Sequence, residues 1–343
     1  MQPEQRCVIL RSYPQGPPSV SDFECVQRVV AAPQSGQALI ETHYLSMDPM
    51  TRTRMHAQAK PAPMILNDVV SGRGVGIVRQ SLAGNLHAGD IVAGELGWQQ
   101  YAVLPGDSLR KVNTSLGPMQ ASLGVLGPSG IAAWCLTHAA ANVRANETVV
   151  VTAAAGAVGS VALQIARIAG ARTVAVVAST AQARFARDEL GAAAVVEHTS
   201  ATLDRDLAAA CPDGVDVFLD SVGGALHNAV MQHIAVRGRI IAFGYISAYN
   251  DTPGQMAEYG RMYQLIHRRA QLQGFLVADY ASQFSAALQD LAAHLAAGRL
   301  RSFEHCVDGI ENAPQAFVAL FSGDPIGKQL VRVAVTSQQG ISS

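Results

Sequence analysis

Two glycines in the stretch VVVTAAAGAVGSVALQIARIAG are spaced for binding a phosphate. Gly156 would let backbone N–H groups approach a pyrophosphate, and Gly159 would allow a helix to pack closely on a strand. The following helix would direct unpaired N–H groups and the positive end of its dipole toward an anion. Ala154 replaces the first glycine of a G-x-G-x-x-G fingerprint, and alanine suits that place if its φ is negative. The pattern predicts a dinucleotide-binding turn; glycine used only for helix packing is the alternative.

The residues after the next apolar run bear on which dinucleotide would bind. An acidic side chain about 20 residues downstream would hold the ribose hydroxyls of NAD. Here the run TVAVV is followed by Ala178, Ser179 and Thr180, and Arg184 lies in the next helical segment. With no carboxylate there to repel a 2′-phosphate, the sequence favours NADP(H). Ser179 and Thr180 would also suit the N-cap of that segment, and both roles can hold at once.

Apolar runs that alternate with amphipathic segments, from about residue 116 onward, would position these residues. Strands are predicted at Val149–Thr152, Thr173–Val177, Ala194–Glu197, Val215–Leu219, Arg239–Phe243 and Leu272–Leu276. Helices are predicted at Ala183–Leu190, Ala225–Val236, Gln283–Ala297 and Ala313–Phe321, before a last strand over residues 328–335. This alternation is typical of βαβ units on a parallel sheet, where ligands bind beyond the carboxyl ends of the strands.

The first 115 residues have a different pattern, in which short runs of alternating apolar and polar residues are separated by proline and glycine. Such runs are typical of an all-β barrel or sandwich. We therefore expect an α/β protein of two domains. A β-rich domain would span residues 1–120 and be completed by 301–343, and a nucleotide-binding, doubly wound parallel-sheet domain would span 121–300.

Composition excludes several classes of protein. Of 343 residues, 49% are apolar and 15% charged, so a large core is expected and disorder is not. A net charge of −1 argues against nucleic acid or an anionic membrane as partner. The five cysteines form no C-x-x-C pair, which favours single thiols in a reducing cytoplasm. No apolar run reaches the roughly 18 residues of a membrane span, and the N-terminus lacks a signal-peptide core.

Seven motifs together carry a family resemblance, and they occur in the order YLSMDPMTRTRM, SGRGVGIV, TAAAGAVGSVALQIARIAGA, DVFLDSVGG, GYISAYN, LQGFLVADY and DGIENAPQAFVALFSGDPIGKQLVRV. The chain resembles the zinc-independent medium-chain dehydrogenase/reductases over nearly its whole length. Its motifs are most similar to those of the NADPH-dependent alkenal/one double-bond reductases, the branch with the prostaglandin and curcumin reductases. The resemblance implies a GroES-like catalytic domain, a Rossmann domain, NADPH as cofactor and a homodimer.

The resemblance also implies which residues would contact the cofactor and the substrate. Cofactor contacts are expected at Ala154, Gly156, Ala157, Val158, Ser179, Thr180, Arg184, His198, Ser221, Gly244, Tyr245, Ile246, Ser247, Phe275, Leu276 and Val277. The substrate pocket would include Met50, Tyr249 and Tyr280.

The chain departs from the family pattern at several of these places. Gln182 stands where the family has a lysine for the 2′-phosphate, and His198 stands where it has a tyrosine. Met50 replaces an aromatic residue of the substrate pocket, Ala132 replaces a threonine and Pro325 an asparagine. These changes bear on substrate range and on the strength of the NADPH preference.

The available side chains suit conjugate reduction better than zinc chemistry. Asn67 and Asp68 stand where zinc alcohol dehydrogenases carry Gly-His-Glu, and no ligand set has metal spacing, so no metal is expected. Hydride attack on the β-carbon of an unsaturated aldehyde or ketone needs one or two donors for the enolate oxygen. Tyr249, in the loop after a strand, is the expected catalytic donor. The α-carbon proton would come from Tyr249 or from water.

Several alternatives remain open at this stage. The same zinc-free framework would serve an NADPH:quinone oxidoreductase or a non-catalytic NADPH-binding protein. Ser221 would equally cap a helix, and Phe275–Val277 would equally form a buried edge strand. Tyr280 would equally pack at the rim of the pocket. Arg52 and Arg54 would orient the catalytic domain or contact phosphate, but solvated surface arginines are the default expectation.

Overall fold

The computed structural model describes residues 4–60, 62–251, 263–323 and 325–333. In chain order the strands are β1 (Glu4–Leu10), β2 (Phe23–Val29), β3 (Gln37–Ser46), β4 (Gly74–Ser81), β5 (Ile91–Gly94), β6 (Tyr101–Pro105), β7 (Arg110–Lys111), β8 (Thr148–Thr152), β9 (Arg172–Val177), β10 (Ala194–Glu197), β11 (Val215–Asp220), β12 (Ile234–Ala242), β13 (Gln271–Gly274), β14 (Glu304–Asp308) and β15 (Lys328–Arg332). The α-helices are α1 (Pro128–Trp134), α2 (Gly159–Ile168), α3 (Thr180–Asp188), α4 (Leu203–Ala210), α5 (Gly224–Met231), α6 (Tyr263–Arg268), α7 (Phe284–Ala296) and α8 (Ala313–Val318).

The chain divides into two compact units at positions close to, but different from, those expected. The first comprises Met1–Leu123, His305–Leu320 and Gln329–Ser343, and the second Gly124–Glu304 and Phe321–Lys328. Phe321–Lys328 was expected in the β-rich domain. It lies in the second unit, where the Gly327 N–H donates to Ala155 O (2.8 Å) and the Lys328 N–H to Phe303 O (2.8 Å).

The first unit is β-rich and mostly antiparallel. β1 and β2 form a hairpin, and a seven-stranded sheet runs β14-β15-β3-β4-β5-β7, with β6 also paired to β3. Trp98, 1% exposed, stacks on Phe23 with ring centroids 5.5 Å apart and meets the edge of Phe317 at 5.6 Å. These large rings supply much of the apolar area that stabilises a unit built from short strands.

The second unit carries a parallel six-stranded sheet in the order β10-β9-β8-β11-β12-β13. Numbered from β8, this is the 3-2-1-4-5-6 order of doubly wound dinucleotide-binding folds. The direction of winding reverses between β8 and β11, so a crevice opens beyond the carboxyl ends of these two strands.

The apolar runs form this sheet because both of its faces are covered. All five residues of β8 are buried, and Val150, Val174 and Phe218 of neighbouring strands share one core cluster at 0% exposure. Strands buried on both faces appear in sequence as continuous β-branched runs, such as the VVV of β8. Each fully buried Val or Phe contributes about 1.5–3 kcal/mol.

The predicted fold class is confirmed, as are the six strands, and the errors lie at element ends. The helix predicted over Ala225–Val236 was wrong beyond Met231, because Ile234 already begins β12, which pairs with β11. Phe275–Val277 do not form an edge strand, since β13 ends at Gly274. The last strand ends at Arg332, and residues 334–335 of that prediction lie outside the described residues.

No helix within the described ranges combines the length and the apolar character that a membrane crossing requires.

Candidate functional site

The turn between β8 and α2 is held by its backbone. The Gly156 N–H donates to Ala153 O (2.9 Å), and the Ala154 N–H donates to Val176 O of β9 (3.2 Å). A Cβ on Gly159 would lie 2.4 Å from Ala153 O and 2.9 Å from Ala154 Cα, so this position requires glycine. The close helix–strand approach inferred for Gly159 is therefore present.

Gly156 has a different environment. A Cβ placed on Gly156 would have one atom within 4 Å, Ala153 O at 3.2 Å. On its other sides it would face open space. The left-handed backbone of the turn falls on Ala153, with φ 47°, and not on the buried Ala154. Open space beside Gly156, next to the N-terminus of a ten-residue helix, is what a backbone-bound diphosphate requires. Ala157 and Val158 complete the turn and are half-buried.

At the carboxyl end of β9 the N-cap prediction is confirmed, but an unforeseen carboxylate lies there. Ser179 is the N-cap of α3, and its Oγ accepts from the Gln182 N–H (3.4 Å). The Thr180 hydroxyl donates to Glu197 Oε2 (3.2 Å), at the end of the neighbouring strand β10. No acid follows β9 directly, as expected, but strand pairing brings the Glu197 carboxylate, distant in sequence, to Thr180. Arg184 lies exposed on α3.

Gln182 is fully engaged within the second unit. Its side-chain oxygen accepts from the Ala178 N–H (3.0 Å), and its amide nitrogen donates to Gly323 O (2.7 Å) and Pro325 O (3.0 Å). The side chain is buried, and both of its polar atoms hold backbone segments. Gln182 therefore anchors Gly323 and Pro325 beside the β9 turn and does not stand in for a phosphate-binding lysine.

His198 follows β10 and is half-buried. Its backbone N–H donates to Val177 O (2.9 Å). Burial lowers the pKa of its imidazole, and a backbone hydrogen bond opposes this with a smaller effect. At neutral pH the ring is therefore uncharged, so it offers a phosphate one N–H donor and no positive charge.

The turn after β11 is joined to the end of β8. The Ser221 hydroxyl donates to Thr152 O (3.2 Å), and the Ser221 N–H donates to Thr152 Oγ1 (2.9 Å). Gly223, with φ 72°, is the N-cap of α5, so the capping role considered for Ser221 is wrong. Asp220 Oδ1 accepts from the N–H groups of Val222 and Gly223, both at 3.0 Å.

The loop after β12 carries Tyr249 beside Gly244. A Cβ on Gly244 would lie 3.4 Å from the Tyr249 hydroxyl, and the rings of Tyr245 and Tyr249 are 6.1 Å apart. Burial raises the pKa of Tyr249, and a hydrogen bond with the Tyr245 backbone lowers it by less. The phenol therefore keeps its proton at neutral pH and can donate a hydrogen bond. Ile246 and Ser247 lie between the two tyrosines, and Ser247 is exposed.

The segment after β13 is less buried than expected. Leu276 is 59% exposed, whereas Phe275 is half-buried and stacks on Tyr280 with centroids 5.1 Å apart. Val277 begins a 3-10 helix that contains Tyr280, whose hydroxyl accepts from Gln273 Nε2 (3.4 Å).

In the first unit, Met50 and Arg52 share a 3-10 helix, Pro49–Arg54, but differ in exposure. The Met50 side chain is 63% exposed. Arg52 is 0% exposed, and its guanidinium donates to Gly16 O (2.8 Å) and Pro14 O (3.2 Å). The expectation of a surface residue at Arg52 was therefore wrong.

Sequence inspection missed Thr152, Asp220 and Glu197, which hold these turns or face them, and it missed the backbone contacts of Gln182. Polar residues that end two apolar strands, in VVVT and VDVFLD, were the available signal for Thr152 and Asp220. Gln182 and Glu197 gave none, because their partners lie far away in the sequence.

The chain was compared with known families, sequences and structures. Residues 6–112 match a family described as the N-terminal domain of oxidoreductase, and residues 157–293 match one described as zinc-binding dehydrogenase. Within the described residues, no three His, Cys, Asp or Glu side chains are grouped so that they could hold a metal. The zinc of that second description therefore has no fitting ligand set in this part of the chain.

The similarity to individual proteins extends over nearly the full length. A putative NADP-dependent oxidoreductase of Bacillus subtilis is 38% identical over 97% of this chain and 99% of its own. The NADPH-dependent curcumin reductase of Escherichia coli is 34% identical, with 95% and 96% covered. CurA from Vibrio vulnificus, solved in complex with NADPH, superposes with a TM-score of 0.90 at 32% identity, covering 96% of this chain and 100% of that one. The predicted resemblance is confirmed, and the chain belongs to the medium-chain dehydrogenase/reductase family, in the branch of reductases that includes curcumin reductase.

Proposed function

We propose that this enzyme uses NADPH to reduce the C=C bond of α,β-unsaturated aldehydes and ketones. The observation that carries the proposal is Tyr249, a protonated phenol held beyond a sheet strand in a chain 34% identical to an NADPH-dependent curcumin reductase. A neutral hydrogen-bond donor suits an enolate oxygen, whose charge develops during the reaction.

The carboxyl edge of the parallel sheet would hold NADPH along its length. The turn of residues 154–158 would hold its diphosphate. The N–H groups of Ala154 and Gly156 already bond to Val176 O and Ala153 O, so those of Ala157 and Val158, at the N-terminus of α2, would donate to it. Ser179, Thr180, Arg184 and His198 would surround the adenosine ribose and its phosphate. The nicotinamide half would lie along a third group of residues: Ser221, Gly244, Tyr245, Ile246, Ser247, Phe275, Leu276 and Val277. The bound cofactor would supply a hydride to the β-carbon of the substrate.

Tyr249 would act through hydrogen bonding. Its O–H donates to the substrate carbonyl oxygen, and this bond strengthens as negative charge moves onto that oxygen. The raised pKa of Tyr249 keeps the donor protonated over the neutral range, so the rate should not fall through its ionisation there. Met50 and Tyr280 would contact the rest of the substrate through apolar area.

The test is oxidation of NADPH and of NADH with enals, enones and quinones as acceptors. We expect enals and enones to be consumed, and we expect Tyr249→Phe to lower kcat roughly 100-fold while leaving the Kd of NADPH within twofold. Tyr101→Phe, in β6 of the first unit and outside the proposed cofactor and substrate contacts, is the matched control and should retain most activity. Turnover of quinones alone, or an undiminished rate in Tyr249→Phe, would refute the proposal. Including NADH measures the influence of the Glu197 carboxylate on cofactor preference.

We also propose a homodimer formed along β13. This strand is the edge of the six-stranded sheet, and the exposed side chains of Ile266 (78%) and Leu276 (59%) lie in the segments on either side of it. Unpaired strand edges with apolar neighbours invite pairing with a second copy. Sedimentation equilibrium would detect the dimer, and a monomer at micromolar concentration would contradict it.

A further inference from the structure

The second unit buries a histidine–aspartate pair away from solvent. Asp220, the last residue of β11, is 0% exposed, and His227 of α5 is 1% exposed. The His227 Nδ1–H donates to Asp220 Oδ2 at 2.8 Å. Removing such a pair from water costs about as much free energy as its attraction returns, so stability alone does not account for it.

The second carboxylate oxygen of Asp220 holds the adjacent turn. Oδ1 accepts from the N–H groups of Val222 and Gly223, both at 3.0 Å, and lies 3.2 Å from Thr152 Oγ1. His227 occupies Oδ2, so the carboxylate is fixed from both sides. The turn thereby keeps one conformation at the crevice between β8 and β11, where a doubly wound sheet binds its ligand.

The turn after β11 also holds the loop that carries Tyr249. Ser221 O accepts from the Ile246 N–H (3.1 Å), and Val222 O accepts from the Ser247 N–H (3.2 Å) and the Ser247 hydroxyl (2.6 Å). The Tyr249 N–H then donates to Ile246 O (3.3 Å). A continuous path of hydrogen bonds therefore runs from His227 to the backbone of Tyr249.

The packing between turn and loop is also tight. A Cβ on Gly223 would lie 2.8 Å from Tyr245 Cβ, so a shift of the turn would displace the loop. Side-chain displacements of about 1 Å at a reacting group can lower a rate roughly 100-fold.

We propose that His227, acting through Asp220, is a positioning residue for Tyr249. This inference rests on the proposed function. His227 contacts neither the substrate nor the reacting atoms in this scheme. Its role is to lock the carboxylate that orders the turn under the Tyr249 loop.

The test combines variants of His227 with Tyr249→Phe in a double-mutant cycle of enone reduction. His227→Phe removes the donor, and we expect kcat to fall roughly tenfold with the Kd of NADPH within twofold. His227→Asn restores an N–H near the place of Nδ1 and should recover most of the rate. In the Tyr249→Phe background, His227→Phe should change kcat less than twofold.

A matched control is a histidine–aspartate pair near the protein surface, in which His233 Nε2 lies 2.9 Å from Asp204 Oδ1. His233→Phe should leave kcat unchanged. If His227→Phe does not fold, Ser247→Ala replaces it in the test, because Ser247 is an exposed residue of the same path. We expect Ser247→Ala to lower kcat a few-fold, and we expect this loss to vanish in the Tyr249→Phe background.

The outcomes separate the two proposals. Two results would overturn the positioning role alone. The first is an unchanged kcat in His227→Phe, or in Ser247→Ala if that variant has to replace it. The second is an equal loss of kcat in the presence and in the absence of the Tyr249 hydroxyl. An unchanged kcat in Tyr249→Phe would overturn the proposed function and this inference together.

Discussion

The turns after β8 and β11 lie at the two sides of one crevice, yet they are held by opposite means. The β8 turn depends on missing side chains, since Gly159 leaves no room for a Cβ and Gly156 leaves open space beside the backbone. The β11 turn depends on buried polar side chains, chiefly Asp220 with its two backbone donors. Thr152 joins the two turns through Ser221.

The difference follows from what each turn must do. A turn that cradles a diphosphate must present backbone N–H groups and leave space, which glycine allows. A turn that supports a catalytic loop needs one conformation, and satisfied buried hydrogen bonds impose that because any other arrangement leaves groups unpaired. Substitutions in the β8 turn should therefore destabilise the protein by steric clash. Substitutions in the β11 turn should destabilise it by leaving buried polar groups without partners.

The largest effect should come from Gly159→Ala. The new methyl would overlap Ala153 O, forcing α2 away from β8, and we expect a loss of about 3 kcal/mol in the free energy of unfolding. Urea denaturation measures this. Gly156→Ala is the matched control and should change stability by less than about 0.5 kcal/mol while weakening NADPH binding. Equal stability losses at the two glycines would break the distinction between packing and ligand space.

A smaller effect is expected from Thr152→Val, which keeps the shape and removes the hydroxyl. The Ser221 N–H would then lose its acceptor and Asp220 Oδ1 one neighbour, at a cost of about 2 kcal/mol. Thr148→Val, at the start of the same strand and outside this network, should cost less. A neutral Thr152→Val in thermal unfolding would show that the β11 turn does not depend on its polar contacts.

The smallest effect is expected from Ala153→Gly. Ala153 is in the left-handed region at φ 47°, which costs a non-glycine residue about 1–2 kcal/mol. Glycine relieves that strain but loses about 0.5–1 kcal/mol through the entropy of the unfolded chain. We expect a net gain of about 0.5 kcal/mol in the free energy of unfolding. A clear loss would mean that the methyl of Ala153 itself stabilises the turn.

At the β9 end a departure from the family pattern has a structural role. Gln182 stands where the family has a phosphate-binding lysine, and its amide holds Ala178, Gly323 and Pro325. An amide offers both a donor and an acceptor, so it can bridge backbone segments in a way that a lysine cannot. The same position therefore serves a different purpose here.

Local pattern determined much of this protein. Apolar runs specified the six parallel strands, and the spacing of Gly156 and Gly159 specified the turn after the first of them. Both features are decided by neighbouring residues. Ser179 was likewise recognisable as a helix cap from its place before α3.

Tertiary structure alone decided the polar contacts. Strand pairing brought Glu197 to Thr180, and the packing of α5 at the end of β11 brought His227 to Asp220. Contacts with Pro14 and Gly16, more than 30 residues away, hold Arg52 in the core. A charged or amide side chain carries no sign in the sequence of whether it will be solvated or buried. That depends on distant partners that replace its water, and only the assembled fold supplies them.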